Sequence, residues 1–273
     1  MLLAGKSVVT SNKELVATYG TELLAIAEEK NVNYLFEASV GGGIPVIRPL
    51  NRCMSANNIV RIAGILNGTT NYILHQMFTN NKSFDDALAD AQAKGYAERN
   101  PAADIEGHDA CRKIAILASL ASGKEVDSER IPTEGIVNIT LDDVKCAEKL
   151  GGVIKLIGYA DMSDGKVYAS VAPMFIANNN MLSGICDVFN GIMVTGDAVG
   201  EVLFYGAGAG KLPTASAVVA DIVDSAIHSE RRKIIGWNKA ENDIMGDINE
   251  KSFRYFVRRG GNAEITDRMT EAE

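Results

Sequence analysis

The sequence predicts an α/β chain in two parts: a piece of doubly wound parallel sheet, then an α+β unit whose sheet is antiparallel or mixed, with helices on one face. Three patterns carry this prediction. KSVVT, the helically periodic SNKELVATYGTELLAIAEEK and the apolar VNYLFEAS follow one another. Strand, helix and strand at that spacing make a βαβ crossover. VIKLIGYADMSDGKVYASVAPMFI is two alternating runs around Asp164-Gly165, and GIMVTGDAVGEVLFYG is a second pair. Both read as β-hairpins. Two parallel strands do not complete a sheet, so the first unit reads as truncated.

Element by element, Lys6 to Thr10 is a β-branched run suited to a buried parallel strand, and Ser11 or Asn12 is the natural cap of the helix behind it. The second strand ends at Glu37 and the turn SVGGGIP. IVRIAGILNGTTNYILHQMF gives a strand over 59–65, a turn at Asn67-Gly68 and a helix from Thr69 or Thr70. Ser83 caps the next helix, with Asp85 and Asp86 in the first turn where the helix dipole favours them, and Gly95 ends it. A helix from about Ile105 to Ser122, a loop with Pro132 and a short helix LDDVKCAEKLG precede the hairpins. After them comes the glycine-rich turn GAGAG, then a helix with Pro213 near its start. Past His228 the composition turns polar, and Lys239 to Lys251 reads as a linker. SFRYFVRRGG opens an alternating strand before a polar tail, either the start of a further domain or a disordered end. No internal repeat is visible.

The 273 residues, 47% apolar, suffice for one large or two medium globular domains. A net charge of −8, with basic residues dispersed apart from Arg231–Lys233 and Arg258-Arg259, argues against nucleic acid as the main partner. It leaves room for a small anionic or zwitterionic ligand. Cys53, Cys111, Cys146 and Cys186 form no CxxC pair, and His75, His108 and His228 are scattered, so neither a zinc site nor a disulfide framework is indicated. With no cleavable leader and no long apolar run, a soluble cytoplasmic protein without a membrane partner is expected.

The densest cluster of ionisable groups is Gly95 to Lys113, which runs straight into the apolar IAILASLA. Asp109 and Lys113 are four apart, on one helix face. Two readings are open: a solvated surface pair, or a partly buried lysine beside a carboxylate, a proton-transfer arrangement. Lys13, at the carboxyl end of a parallel strand, lies where open α/β sheets bind ligands, or is an exposed first-turn lysine. GAGAGKLPT fails as a phosphate loop, because Tyr205 stands where the pattern needs glycine and Leu212 where it needs Ser or Thr. Its bare amides before a helix remain suited to an anion, to a cofactor or to tight packing. Glu37 beside SVGGG is a solvated loop residue or part of a hard-cation site.

Taken together, VVTSNK, EASVGGGIPVI, ILNGTTNYIL, GYAERNPAADIEGHDACRKIAIL and YGAGAGKLPTASAVVADI, in that order and spacing, resemble the homoserine dehydrogenase family from about Lys6 to Ser225. The resemblance implies interconversion of L-aspartate 4-semialdehyde and L-homoserine with NADP(H) or NAD(H), on the route to threonine, methionine and isoleucine. It implies Lys113 as catalytic acid/base with Asp109 and Lys13 beside it, and Glu98, Asp104 and Asp109 on the substrate. Lys13, Gly95 and Gly210 fall on the cofactor, and Glu37, Val40, Gly42 and Ile44 on a monovalent cation site, usually sodium. The implied partners are a small amino-acid substrate and further copies in a homo-oligomer. The implied organisation is a remnant of a Rossmann-type dinucleotide-binding domain over 1–45, a catalytic and dimerisation domain over 46–212 and a closing helix over 213–235. A linker and the start of an incomplete ACT-like domain occupy 236–273. The chain departs from the pattern in two places: no GxGxxG follows an early strand, and Asn100 stands where the family commonly has an acid. The alternative is an inactive fragment that serves only as an interaction partner.

Overall fold

The computed structural model describes residues 1–227, 232–255, 258, 259, 262 and 263. The chain opens on β1 (Val8–Val9), α1 (Lys13–Glu29) and β2 (Tyr34–Leu35), and the two strands pair in parallel, Val8 with Tyr34 and Val9 with Leu35. This is the expected crossover, with Asn12 as the cap: its side chain accepts from the Leu15 amide at 3.0 Å. Both strands are shorter than the apolar runs that predicted them, because the chain after Phe36 turns at once into a 3-10 segment over Glu37–Ser39.

β3 (Ile59–Ile65) follows, then five helices: α2 (Gly68–Asn80), α3 (Phe84–Ala93), the single turn α4 (Ala102–Ile105), α5 (His108–Ser122) and α6 (Leu141–Lys149). The continuous helix expected from Ile105 is in fact broken. Gly107, at φ 88°, separates α4 from α5 in a conformation that a residue with a Cβ adopts only under strain. The remaining elements are β4 (Gly152–Asp161), β5 (Tyr168–Ala177), β6 (Phe189–Gly196), β7 (Gly200–Ala207) and α7 (Lys211–Ile227).

The five strands form one sheet in the order β5-β4-β3-β6-β7. Every pairing is antiparallel, which decides between the antiparallel and mixed arrangements: both hairpins form as their turns predict, and one joins each side of β3. Alternation then divides the side chains. Ile62, Leu156, Ala160, Ile192 and Val194 belong to the main core with Ile114 and Leu117 of α5, while Ala63, Ile65, Ile157 and Met193 form a smaller cluster under Leu182 and Ile185. Gly158 lets α5 approach closely, since a methyl there would stand 2.7 Å from Leu66 Cδ1 and 3.2 Å from Ile114 Cβ.

The segment expected to be a linker is docked instead. Val167 donates to the Ile244 carbonyl at 2.8 Å, the Gly246 amide returns to Val167 at 2.9 Å, and Arg130 pairs with Asp243 at 2.8 Å. Just before it, buried Trp237 packs edge-on against Phe36 and donates to Thr21 Oγ1 at 2.9 Å. Polar composition misleads here because backbone pairing and a few apolar anchors suffice to hold a strap. Of the strand expected within SFRYFVRRGG, residues 252–255 are not strand, Arg258-Arg259 pairs antiparallel with Asn262-Ala263 as β8 and β9, and 256, 257, 260 and 261 lie outside the described residues. Among the described residues no helix is long and apolar enough to cross a membrane.

Candidate active site

The break at Gly107 points the first turns of α5 inward. Asp109 and Lys113 are 3% and 8% exposed, so the surface-pair reading is excluded. Lys113 Nζ donates to Asp109 Oδ2 at 2.7 Å and to the Leu66 carbonyl at 2.7 Å. An ammonium has three N–H bonds, so one is left for a ligand. The other Asp109 oxygen pairs with Lys13 Nζ at 2.8 Å, from the first residue of α1. One carboxylate thus joins two lysines on different elements, one buried and one partly exposed.

Asn67 completes it. Its Oδ1 caps α2 by accepting from the Thr70 amide at 2.8 Å, while its Nδ2 donates to Asp104 Oδ1 at 2.7 Å and Asp109 Oδ2 at 2.8 Å. Burial would raise the Asp109 pKa, but the ammonium groups of Lys113 and Lys13 outweigh it and hold the group well below the usual carboxylate range. Asp104 moves the other way. Its burial, with the negative charge of Asp109 nearby, outweighs the Asn67 hydrogen bond and raises its pKa. Two neighbouring carboxyls with opposed shifts, beside a lysine with a spare N–H, form a site able to pass a proton to or from a ligand oxygen. Sequence reasoning missed Asn67, reading Asn67-Gly68 as a turn. The available signal was an Asn ahead of a helix, which is a cap preference.

Glu98 stands apart from this cluster. It is exposed, its carboxylate makes no ion pair among the described residues, and its carbonyl accepts from Gln92 Nε2 at 3.1 Å. Its loop is tied to the site by Thr69 Oγ1, which donates to the Tyr96 carbonyl at 2.7 Å. Gly95 has φ 75° and closes α3: its amide bonds to Gln92 and that of Tyr96 to Ala91, at 3.0 and 2.8 Å. That capping alone explains a glycine. Gly210, φ 117°, is exposed immediately before α7.

Glu37 is buried, not a solvated loop residue, and its carboxylate is fully engaged. Oε1 accepts the Val46 and Ile47 amides at 2.7 and 2.8 Å, and Oε2 the amide and Nε of Arg48 at 2.9 and 3.1 Å. The carboxylate is therefore not a free cation ligand. Among the described residues the carbonyls of Glu37, Val40, Gly42 and Ile44 accept no hydrogen bond, and positive φ at Gly41 and Gly42 bends the chain around them. Oxygen donors on such a bend fit a hard monovalent cation. Asp221 of α7, which sequence reasoning also missed, accepts the Glu37 amide at 2.9 Å beside Arg48, and burial raises its pKa to about 6.

The family model for homoserine dehydrogenase matches residues 45–223. A homoserine dehydrogenase of Helicobacter pylori is 52% identical over 253 residues, 93% of this chain and 59% of that protein. The one from Synechocystis is 48% identical over 223 residues, 80% of this chain and 52% of that protein. Among solved structures, a homoserine dehydrogenase from Thiobacillus denitrificans superposes with a TM-score of 0.82 at 47% identity, over 84% of this chain and 53% of that one. A hyperthermophilic archaeal homoserine dehydrogenase in complex with NADPH gives a TM-score of 0.72 at 32% identity, over 83% and 66%. The chain spans between half and two thirds of these relatives' lengths. On fold and sequence alike, the chain belongs to the homoserine dehydrogenase family.

Proposed function

We propose that this chain is the substrate-binding and catalytic portion of an enzyme that interconverts L-homoserine and L-aspartate 4-semialdehyde. The carrying observation is buried Lys113, held by Asp109 and the Leu66 carbonyl with one N–H to spare. A bound NADP(H) or NAD(H) supplies or accepts the hydride. The chain's own residues handle the rest. In the reducing direction Lys113 donates its spare N–H to the aldehyde oxygen and protonates the forming alkoxide, and in the oxidising direction it takes the hydroxyl proton back. Asp109 fixes the ammonium in place, and its second oxygen tethers Lys13 at the carboxyl end of β1, where the cofactor and the substrate meet. Asp104 and Glu98 supply carboxyl groups for the polar ends of the amino acid, Glu98 facing its ammonium.

Gly95 and Gly210 are assigned to the cofactor's edge, and the Glu37, Val40, Gly42 and Ile44 carbonyls to sodium or another monovalent cation. Residues 1–45 with α7 form part of the dinucleotide-binding unit, 46–212 the catalytic and dimerisation unit, and 236–273 the entry to a further domain; α7 ends at Ile227, short of the closing helix expected over 213–235. Phe189 and Tyr205 stack at 5.4 Å between ring centroids on the sheet face away from the helices and are both exposed, which supports a homo-oligomer built on that face. The test is L-homoserine-dependent reduction of NADP, by this chain and by this chain joined to the amino-terminal part of a relative. Lys113→Ala is expected to reduce kcat by roughly 10²-fold or more. A loss below about tenfold overturns the proton-transfer role.

A further inference from the structure

Asn190 lies on β6, on the helix side of the sheet, and is 1% exposed. Both ends of its carboxamide, Oδ1 and Nδ2, are buried with no hydrogen-bond partner among the described residues. Buried amides are nearly always paired, so a doubly orphaned one calls for a cause. Its surroundings suggest the cause. Asn190 pairs across the sheet with Gly206, and the chain beyond folds back over it, so that a methyl on Gly208 would overlap the Asn190 carboxamide. On the other side a methyl on Gly68, the first residue of α2, would lie 3.5 Å from Asn190 Oδ1. Two turns therefore close on this one amide. The first, Asn67-Gly68, carries the side chain that holds Asp104 and Asp109. The second, Gly208 to Gly210, leads into α7.

We infer that Asn190 is a positioning residue that couples these two turns. Its amide gains its hydrogen bonds only when a bound amino-acid substrate shifts the two turns against it. The Gly68 and Thr69 amides, in the first turn of α2, have no intrahelical acceptor, and the Gly208–Gly210 turn packed on the carboxamide supplies further peptide groups. The unliganded chain carries the cost of an unpaired amide and the liganded chain recovers it, which makes ligand binding tighter and the free protein less stable than packing alone would allow. This inference rests on the proposed homoserine site.

The experiment measures thermal unfolding of the unliganded chain and L-homoserine affinity by calorimetry, with NADPH present, for the wild type, Asn190→Leu and Asn190→Ala. The expected result is an unfolding temperature for Asn190→Leu equal to or above that of the wild type, with affinity for L-homoserine weakened about tenfold in both variants. Should Asn190→Leu fail to fold, amide exchange in the wild type takes its place, and L-homoserine is expected to slow exchange at Gly68 and Ala209 by about tenfold. Variants that lose stability but bind as the wild type does would mean that Asn190 serves packing or a buried water only, and would overturn the inference while leaving the site reading intact. A folded wild type that binds no L-homoserine and shows no change in exchange would overturn both.

Discussion

Replacing Asp109 by Asn is the sharpest probe of the cluster. The carboxylate is 3% exposed and serves three donors, Lys113 at 2.7 Å, Lys13 at 2.8 Å and Asn67 at 2.8 Å. Removing one member of a buried ion pair typically costs about 3–5 kcal/mol, because the remaining charge is left without compensation. Here Lys113 is that remaining charge. Lys13, with its side chain 42% exposed, rehydrates and adds little. Asp109→Asn is therefore expected to cost about 3–5 kcal/mol near neutral pH, a large share of a domain's typical stability. Lys113→Met should cost less, about 1–3 kcal/mol, since Asp109 keeps both Lys13 and Asn67 and only the Leu66 carbonyl loses its partner. The double variant should be more stable than Asp109→Asn alone. Urea unfolding of the three variants, with m-values compared, measures this. A cost below about 1 kcal/mol for Asp109→Asn, or a larger cost for Lys113→Met than for Asp109→Asn, refutes the picture of one carboxylate neutralising a buried lysine.

Three further outcomes are expected. Burial pushes the Asp221 pKa from the ordinary carboxylate value up to about 6, so the folded chain binds an extra proton over that interval. Its contribution to stability is then fully present at low pH and falls by roughly 3 kcal/mol as pH rises through that window. The stability of Asp221→Asn relative to wild type should rise over the same window, read from urea unfolding at pH 4, 5 and 7. Glu37→Gln places an amide N–H against the donors of Val46, Ile47 and Arg48, and a loss of about 3 kcal/mol is expected in chemical denaturation. Gly95→Ala meets no neighbour within 4 Å but keeps φ 75°, so thermal melts should show a loss of about 1 kcal/mol from backbone strain alone.

Periodicity and turn chemistry made the elements legible. Two alternating runs around Asp164-Gly165 and an apolar run behind Ser83 each formed where the local pattern put them, because a hairpin and a capped helix are decided within a few residues. The Asp109 to Lys113 spacing likewise fixed a common helix face, and the motif order fixed the family. Lengths and breaks were less legible: Gly107 splits a helix that composition alone would run straight through, and the polar segment before Lys251 pairs with Val167, just ahead of β5, through contacts distant in sequence.

What sequence could not hold is where charges end up. Whether Asp109 and Lys113 were a surface pair depended on α5 packing against a sheet made close by Gly158, and whether Lys13 reached them depended on α1 lying beside α5. Glu37 shows the same limit in reverse, a carboxylate turned inward to cap its own chain where one reading of the sequence made it a solvated loop residue. Local pattern determines which groups are available and on which face of an element they stand. Tertiary packing decides which are taken out of water, and the low dielectric there couples an Asp and a Lys four residues apart far more strongly than the same pair at the surface.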